Sequence, residues 1–178
     1  MDFAPLEVVP CKDGERIVLP ERLVASASAG IVRVIGNDND RNDKNHSVVM
    51  VESPSGIIFA YTHIANPNKN IAVGKKIFSG QPLGDPSCEH PPGGRITGLH
   101  VHFAVYDRNF NPIPIDGLKL SGFTVVAGEN VGEGILVRQG EEIRTADQRR
   151  CDEKRICLNK DGKRIRNDLW PLGEILRP

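Results

Sequence analysis

The feature that most constrains this chain is a succession of short runs rich in Val, Ile and Phe: "RIVL", "GIVRVIG", "SVVMVES", "GIIFAYTHI", "KKIFSG", "LHVHFAVYD", "GFTVVAG", "EGILVRQ" and "EEIRTA". Gly, Pro, Asn and Asp separate them at short intervals. β-Branched and aromatic residues suit a pleated, half-buried surface, and the residues between them supply tight turns. No segment sustains a helical period beyond about ten residues. The chain therefore reads as all-β, built from antiparallel hairpins and loops. With 178 residues it has the length of one domain with a short appendage, enough to bury a hydrophobic core. The split expected is a main domain over 1–130 and a C-terminal β-hairpin extension over 131–178, whose turn chemistry sits at Lys160, Asp161 and Gly162.

Charge excludes some partners. Lys plus Arg and Asp plus Glu both number 23, so no net field draws the chain to nucleic acid or to an anionic membrane. The basic stretch "DQRRCDEKR" is interleaved with acids and reads as a solvated face. No apolar segment approaches the roughly 20 residues that span a bilayer, and "MDFAPLEVVP" lacks the basic and apolar regions of a secretion signal. Cys11, Cys88, Cys151 and Cys157 form no CxxC pair. Two disulfides, Cys151 with Cys157 and Cys11 with Cys88, would imply an oxidising compartment, and four reduced thiols a cytosolic one.

Two polar or glycine-rich stretches read as structural. "GNDNDRNDKNHS", 36–47, is dense in turn-forming Asn and Asp and is expected as an exposed connection with His46 at the surface. It lacks the sharp-turn Gly and closing Glu of an EF-hand calcium loop. "VGKKIFSGQPLG", 73–84, has the glycine spacing of tight turns in a small β-roll.

The chemistry concentrates in "GLHVHF", 98–103. In a strand, His100 and His102 stand side by side while Val101, Phe103 and Val105 face the other way, towards a core. A His-x-His pair alone is also what two hydrogen-bonded or exposed histidines look like. "AYTHI" places Tyr61 and His63 on one face of a second strand, ending where the loop "ANPNKN" begins, a position where site residues collect. Taken alone, His63 reads as a half-buried strand-end histidine satisfied by a backbone carbonyl.

Together these pieces resemble the lysostaphin-type zinc metalloendopeptidases, which cut peptide bonds in bacterial cell walls, and within them the staphylolysin-like members. The matching residues are Asp2 in "MDFAP", His63 in "YTHI", and His100 and His102 in "TGLHVHFAV", with "ASASAGIVRVIG", "VGKKIFSGQPLG" and "CEHPPGG" as framework, over residues 2–130. The resemblance implies an antiparallel β-roll or sandwich with an open groove. It also implies Zn2+ held by Asp2 and His102, with His63 and His100 as an unliganded pair beside it. A zinc ion with an open position activates water at neutral pH and polarises a peptide carbonyl. No HExxH glutamate is present, so His100 is expected to handle the proton and His63 the oxyanion, or the two with roles exchanged. Tyr61 either assists in the groove or packs. The implied substrate is a peptidoglycan cross-bridge peptide, the implied location extracellular or periplasmic, and the expected state a monomer.

The family pattern also has a His upstream of the Asp, and Met1 alone precedes Asp2. The expectation that follows is a longer parent chain carrying that His and a secretion signal. The alternatives are a degenerate, non-catalytic cell-wall-binding or regulatory module, and His90 of "CEHPPGG" as a substitute ligand limited in reach by two prolines. A carrier domain presenting Lys75 or Lys76 at a hairpin tip is a further reading, but it has no use for a histidine pair.

Overall fold

The computed structural model describes residues 2–3, 9–12, 16–18, 23–94, 96, 98–120, 123–127, 134–138, 141–144, 157–158 and 164–165. Every regular element among them is a strand, and all the strand pairs are antiparallel. In chain order they are β1 (Asp2–Phe3), β2 (Val24–Ala25), β3 (Gly30–Ile35), β4 (Val48–Glu52), β5 (Ile58–Thr62), β6 (Ile64–Ala65), β7 (Lys76–Ile77) and β8 (Pro82–Pro86). They continue with β9 (Val101–Tyr106), β10 (Lys119–Leu120), β11 (Phe123–Ala127), β12 (Gly134–Arg138), β13 (Glu141–Arg144), β14 (Cys157–Leu158) and β15 (Arg164–Ile165). No helix among the described residues is long and apolar enough to cross a membrane.

A six-stranded sheet in the order β1-β9-β5-β4-β3-β7 carries the site, and a three-stranded sheet, β2-β8-β6, lies next to it in sequence and space. β3, β4 and β5 form a meander, and β9 returns to pair with β5 from Ile58 opposite Tyr106 to Thr62 opposite His102. One face of this ladder is core. Val49, Tyr61 and Phe103 form one cross-strand row and Val51, Phe59 and Val105 another, all buried. Phe59 stacks on Phe103 at 5.9 Å between centroids, and Tyr61 meets the same ring edge-on at 5.4 Å. Such offset and edge-to-face pairs add to plain area burial.

The alternation expected around "LHVHF" is present: Leu99, Val101, Phe103 and Val105 are buried, while His102 is exposed and His100 half-buried. A four-stranded sheet, β10-β11-β12-β13, has strands on both sides of residue 130 in sequence and contributes Leu120, Phe123, Val125 and Leu136 to the same core. β14 and β15 pair as a two-stranded sheet, Cys157 opposite Ile165 and Leu158 opposite Arg164, and the turn expected at 160–162 lies outside the described residues.

The N-terminal segment is tied to the loop that precedes β9. Cys11 and Cys88 form a disulfide with Cα atoms 5.5 Å apart, as one of the two sequence alternatives required. The Cys88 N–H donates to the Ile17 carbonyl and the Leu99 N–H to the Val9 carbonyl. The proposed Cys151–Cys157 bridge lies outside the described residues. Because the Cys11–Cys88 bridge closes a separation of 77 residues, chain entropy alone predicts that the Cys11→Ser/Cys88→Ser protein loses about 4 kcal/mol of stability. Urea unfolding of the two proteins measures the difference, and equal midpoints would show that the bridge adds nothing.

Candidate functional site

The site starts from the β5–β9 register. A single cross-strand row contains Asp2 of β1, His102 of β9, Thr62 of β5 and Val48 of β4. The ladder thus brings the Asp2 backbone, from the amino end of the chain, directly opposite His102. The exposed His102 lies on the face of the sheet opposite the Phe59, Tyr61 and Phe103 core.

His63 follows the last residue of β5, and here the period-two reading fails. An unbroken strand would carry His63 on the same face as Tyr61, which is the core face. Tyr61 itself is 2% exposed, and its hydroxyl accepts a 2.7 Å hydrogen bond from the Ala27 N–H. It packs and does not line the groove. Desolvation pushes its phenol up to about 12, so it stays protonated. His63 leaves that face because its φ is +69°, in the left-handed region that non-glycine residues rarely occupy. The chain turns at this residue from the large sheet into β6 of the small one. The His63 ring then sits edge-on to that of His100, 4.6 Å between centroids and 71° between planes.

Both rings have their Nδ1 committed. Nδ1 of His63 lies 2.7 Å from the Glu89 carbonyl and Nδ1 of His100 lies 2.7 Å from the Gly98 carbonyl. A carbonyl oxygen only accepts, so each Nδ1 carries the hydrogen and the neutral rings hold their lone pair at Nε2. The expectation for His63 alone, a backbone carbonyl as partner, is therefore met together with its contact to His100. Imidazoles in this tautomer and a carboxylate are the donor types that zinc takes. Among the described residues no group of three or more His, Cys, Asp or Glu side chains is gathered to hold a metal, and the Asp2 side chain lies outside what is described. His90 has its Nδ1 on the carbonyl of its neighbour Pro91, at 3.1 Å.

His46 corrects the sequence reading. It was expected at the surface and is 2% exposed, with Nδ1 donating to the Asn37 carbonyl at 3.0 Å and Nε2 in an ion-pair contact with Glu89. The "GNDNDRNDKNHS" loop is largely solvated, as its composition requires, but it folds back on itself through Asx turns at Asn37, Asp40 and Asp43. The Gly36 N–H donates to the Val48 carbonyl at the loop's neck, where a side chain at Gly36 would overlap the Asn45 carbonyl. The last two residues of the loop are thereby drawn into the interior. A glutamate at 89, next to Cys88, was the one signal that could have pointed to a buried partner for this histidine.

The far end of β5 is unlike the histidine end. A surface cavity there is lined by Arg33, Val34, Glu52, Ile58, Arg108 and Phe110. Its charges are mutually satisfied: Glu52 accepts from Arg33 at 2.6 Å and from Arg108 at 3.2 Å.

No protein-family model matches the sequence, and no curated protein matches it at a significant level. Solved structures do. The chain is similar to the M23 metalloprotease pseudoalterin from the deep sea, with 19% identity over 69% of each chain and a TM-score of 0.52. It is also similar to the catalytic domain of the antimicrobial peptidase lysostaphin from Staphylococcus simulans, with 22% identity over 51% of this chain and 62% of that one and a TM-score of 0.40. The all-β architecture is thus a fold that an M23 metalloprotease uses.

Two predictions test the site's surroundings. Tyr61→Phe leaves the Ala27 N–H without its acceptor and should cost about 1–3 kcal/mol in denaturant unfolding; no change would show that water replaces the hydroxyl. Asp38, in the polar loop, has buried carboxylate oxygens without a well-aligned donor, and desolvation raises its pKa above 3.8 despite an opposing pull from the Asn66 backbone. A raised folded-state pKa means that ionised Asp38 opposes folding at neutral pH, and that this penalty vanishes below the unfolded value. Asp38→Asn should therefore raise the melting temperature at pH 7, with a gain that shrinks to nothing at about pH 3. A gain independent of pH would contradict it.

Proposed function

We propose that the chain is a metal-dependent endopeptidase of the lysostaphin type, close to its staphylolysin-like members, acting on peptide cross-bridges of bacterial peptidoglycan outside the cytoplasm. One observation carries this reading: two imidazoles in ring contact, with matching tautomers, stand at the end of the strand pair that places Asp2 opposite His102. The same type of fold in an M23 metalloprotease supports it. In this reading Asp2 and His102 hold Zn2+, providing two of the three protein ligands of an ordinary catalytic zinc site.

Bound there, zinc would supply Lewis-acid polarisation of the scissile carbonyl and would acidify water. The chain's own residues do the rest. Neutral His100 accepts the proton of the attacking water at Nε2, while its Nδ1 stays fixed on the Gly98 carbonyl. His63, once it has taken up a second proton at Nε2, donates from there to the developing oxyanion, while the hydrogen bond from its Nδ1 to the Glu89 carbonyl keeps the ring from rotating away. The two rings are near enough for these roles to exchange. The open setting of half-buried His100 and exposed His102 leaves room for an extended peptide, and chains rich in glycine would approach the sheet most closely.

The test is cleavage of a pentaglycine peptide and of purified peptidoglycan with added zinc. His63→Ala and His100→Ala should each lower kcat by about 100-fold to 10,000-fold. His102→Ala should abolish zinc binding measured by calorimetry. If wild-type protein binds peptidoglycan, takes up no zinc and cleaves nothing, the fold serves as a non-catalytic cell-wall-binding module and the enzymatic reading fails.

A further inference from the structure

The chemistry proposed above uses the groove side of His63; behind the ring lies a buried charged cluster that it does not use. Glu89 is 5% exposed, and its carboxylate has a basic side chain against each oxygen. Arg16 Nε lies 2.7 Å from Oε1, and His46 Nε2 is in contact with Oε2. Oε2 has no donor in good hydrogen-bond alignment, so that second contact is one of close packing rather than of direction. A carboxylate this deep is costly unless such partners surround it. The main chain of Glu89 is where the investment is used, because its carbonyl is the oxygen that receives the His63 Nδ1 hydrogen.

The rest of the neighbourhood closes around the same residue. The Glu89 N–H donates to the Ser87 hydroxyl at 3.1 Å. The Ser87 N–H and hydroxyl both donate to the His63 carbonyl, at 2.8 and 3.2 Å. The Ile64 N–H donates to the Ser47 carbonyl, directly after His46. Ser47 and Asn66 have positive φ, as His63 does, so three left-handed residues cluster at one corner. Strain of this kind persists only where surrounding contacts over-determine it.

We infer that Glu89, clamped by Arg16 and His46, is the positioning residue of His63: it fixes the tautomer and direction of that imidazole through its backbone carbonyl. His46 and Arg16 act through Glu89 and touch no substrate. Partners behind a functional imidazole typically influence activity by about 10-fold to 100-fold when removed. The inference rests on the proposed function for its catalytic consequence, and on geometry alone for the tautomer.

The experiment separates the two. Long-range 1H–15N NMR of the full chain should show His63 as a single Nδ1–H tautomer. In Glu89→Gln, which keeps shape and loses charge, and in His46→Gln, the His63 pattern should shift towards averaged tautomers, while that of His100, held by Gly98, stays as it was. Peptide cleavage with zinc should then show kcat down about tenfold with KM unchanged. Should the glutamine variants fail to fold, Arg16→Met, at a partly exposed position, applies the same test with a smaller expected shift. Folded variants with an unaltered His63 tautomer overturn the inference. A wild type that cleaves nothing overturns the enzymatic reading instead, and the tautomer result still decides the role of Glu89.

Discussion

The β5–β9 ladder is the constraint from which the site follows. Its register sets Tyr61 against Phe103 on the core face and Thr62 against His102 on the other. A slip of one residue would send His102 into the core and Phe103 into water, since a strand's side chains alternate strictly. The apolar row of Val49, Tyr61 and Phe103 therefore holds the histidine in place as firmly as any hydrogen bond at the site. β1 pairs on the far side of β9 and inherits the same register, which is why Asp2 arrives opposite His102.

A ladder alone cannot bring His63 to His100. The left-handed turn at His63 lifts its ring off the core face, and the turn is held by Ser87 and Glu89 of one loop and by Ser47 of another. Each segment is in turn anchored: the loop at 87–89 by the disulfide to Cys11 and the ion pair to Arg16, the loop at 46–47 by the Gly36 neck. The corner where the chain passes from one sheet to the other thus gathers the strained backbone, the buried charges and a candidate functional ring. Regular strands could not do this, because their hydrogen bonds leave no freedom to aim a side chain between two faces.

Much of the site was legible in local patterns. The alternation in "LHVHFAV" put His100 and His102 away from the core, and the structure has them so. The Cys11–Cys88 bridge was also readable, though only beside the alternative of four reduced thiols. Tyr61 and His63 were misread as neighbours on one face because period-two reasoning assumes that the strand continues, and here it ends at Thr62. His46 was misread as a surface residue because its loop is polar, and nothing local to "DKNHS" reveals a carboxylate 43 residues away in sequence, at Glu89.

The sequence by itself determined the all-β class, the core-facing residues of the long strands and the residue types available for chemistry. These depend on alternation and turn propensity, which act over a few neighbouring positions. Only the tertiary structure decided that Asp2 lies opposite His102, that His63 turns to meet His100, and that His46 and Glu89 pair in the interior. Those outcomes depend on register between distant strands and on closing long loops, and their energies come from contacts between segments that no local pattern encodes.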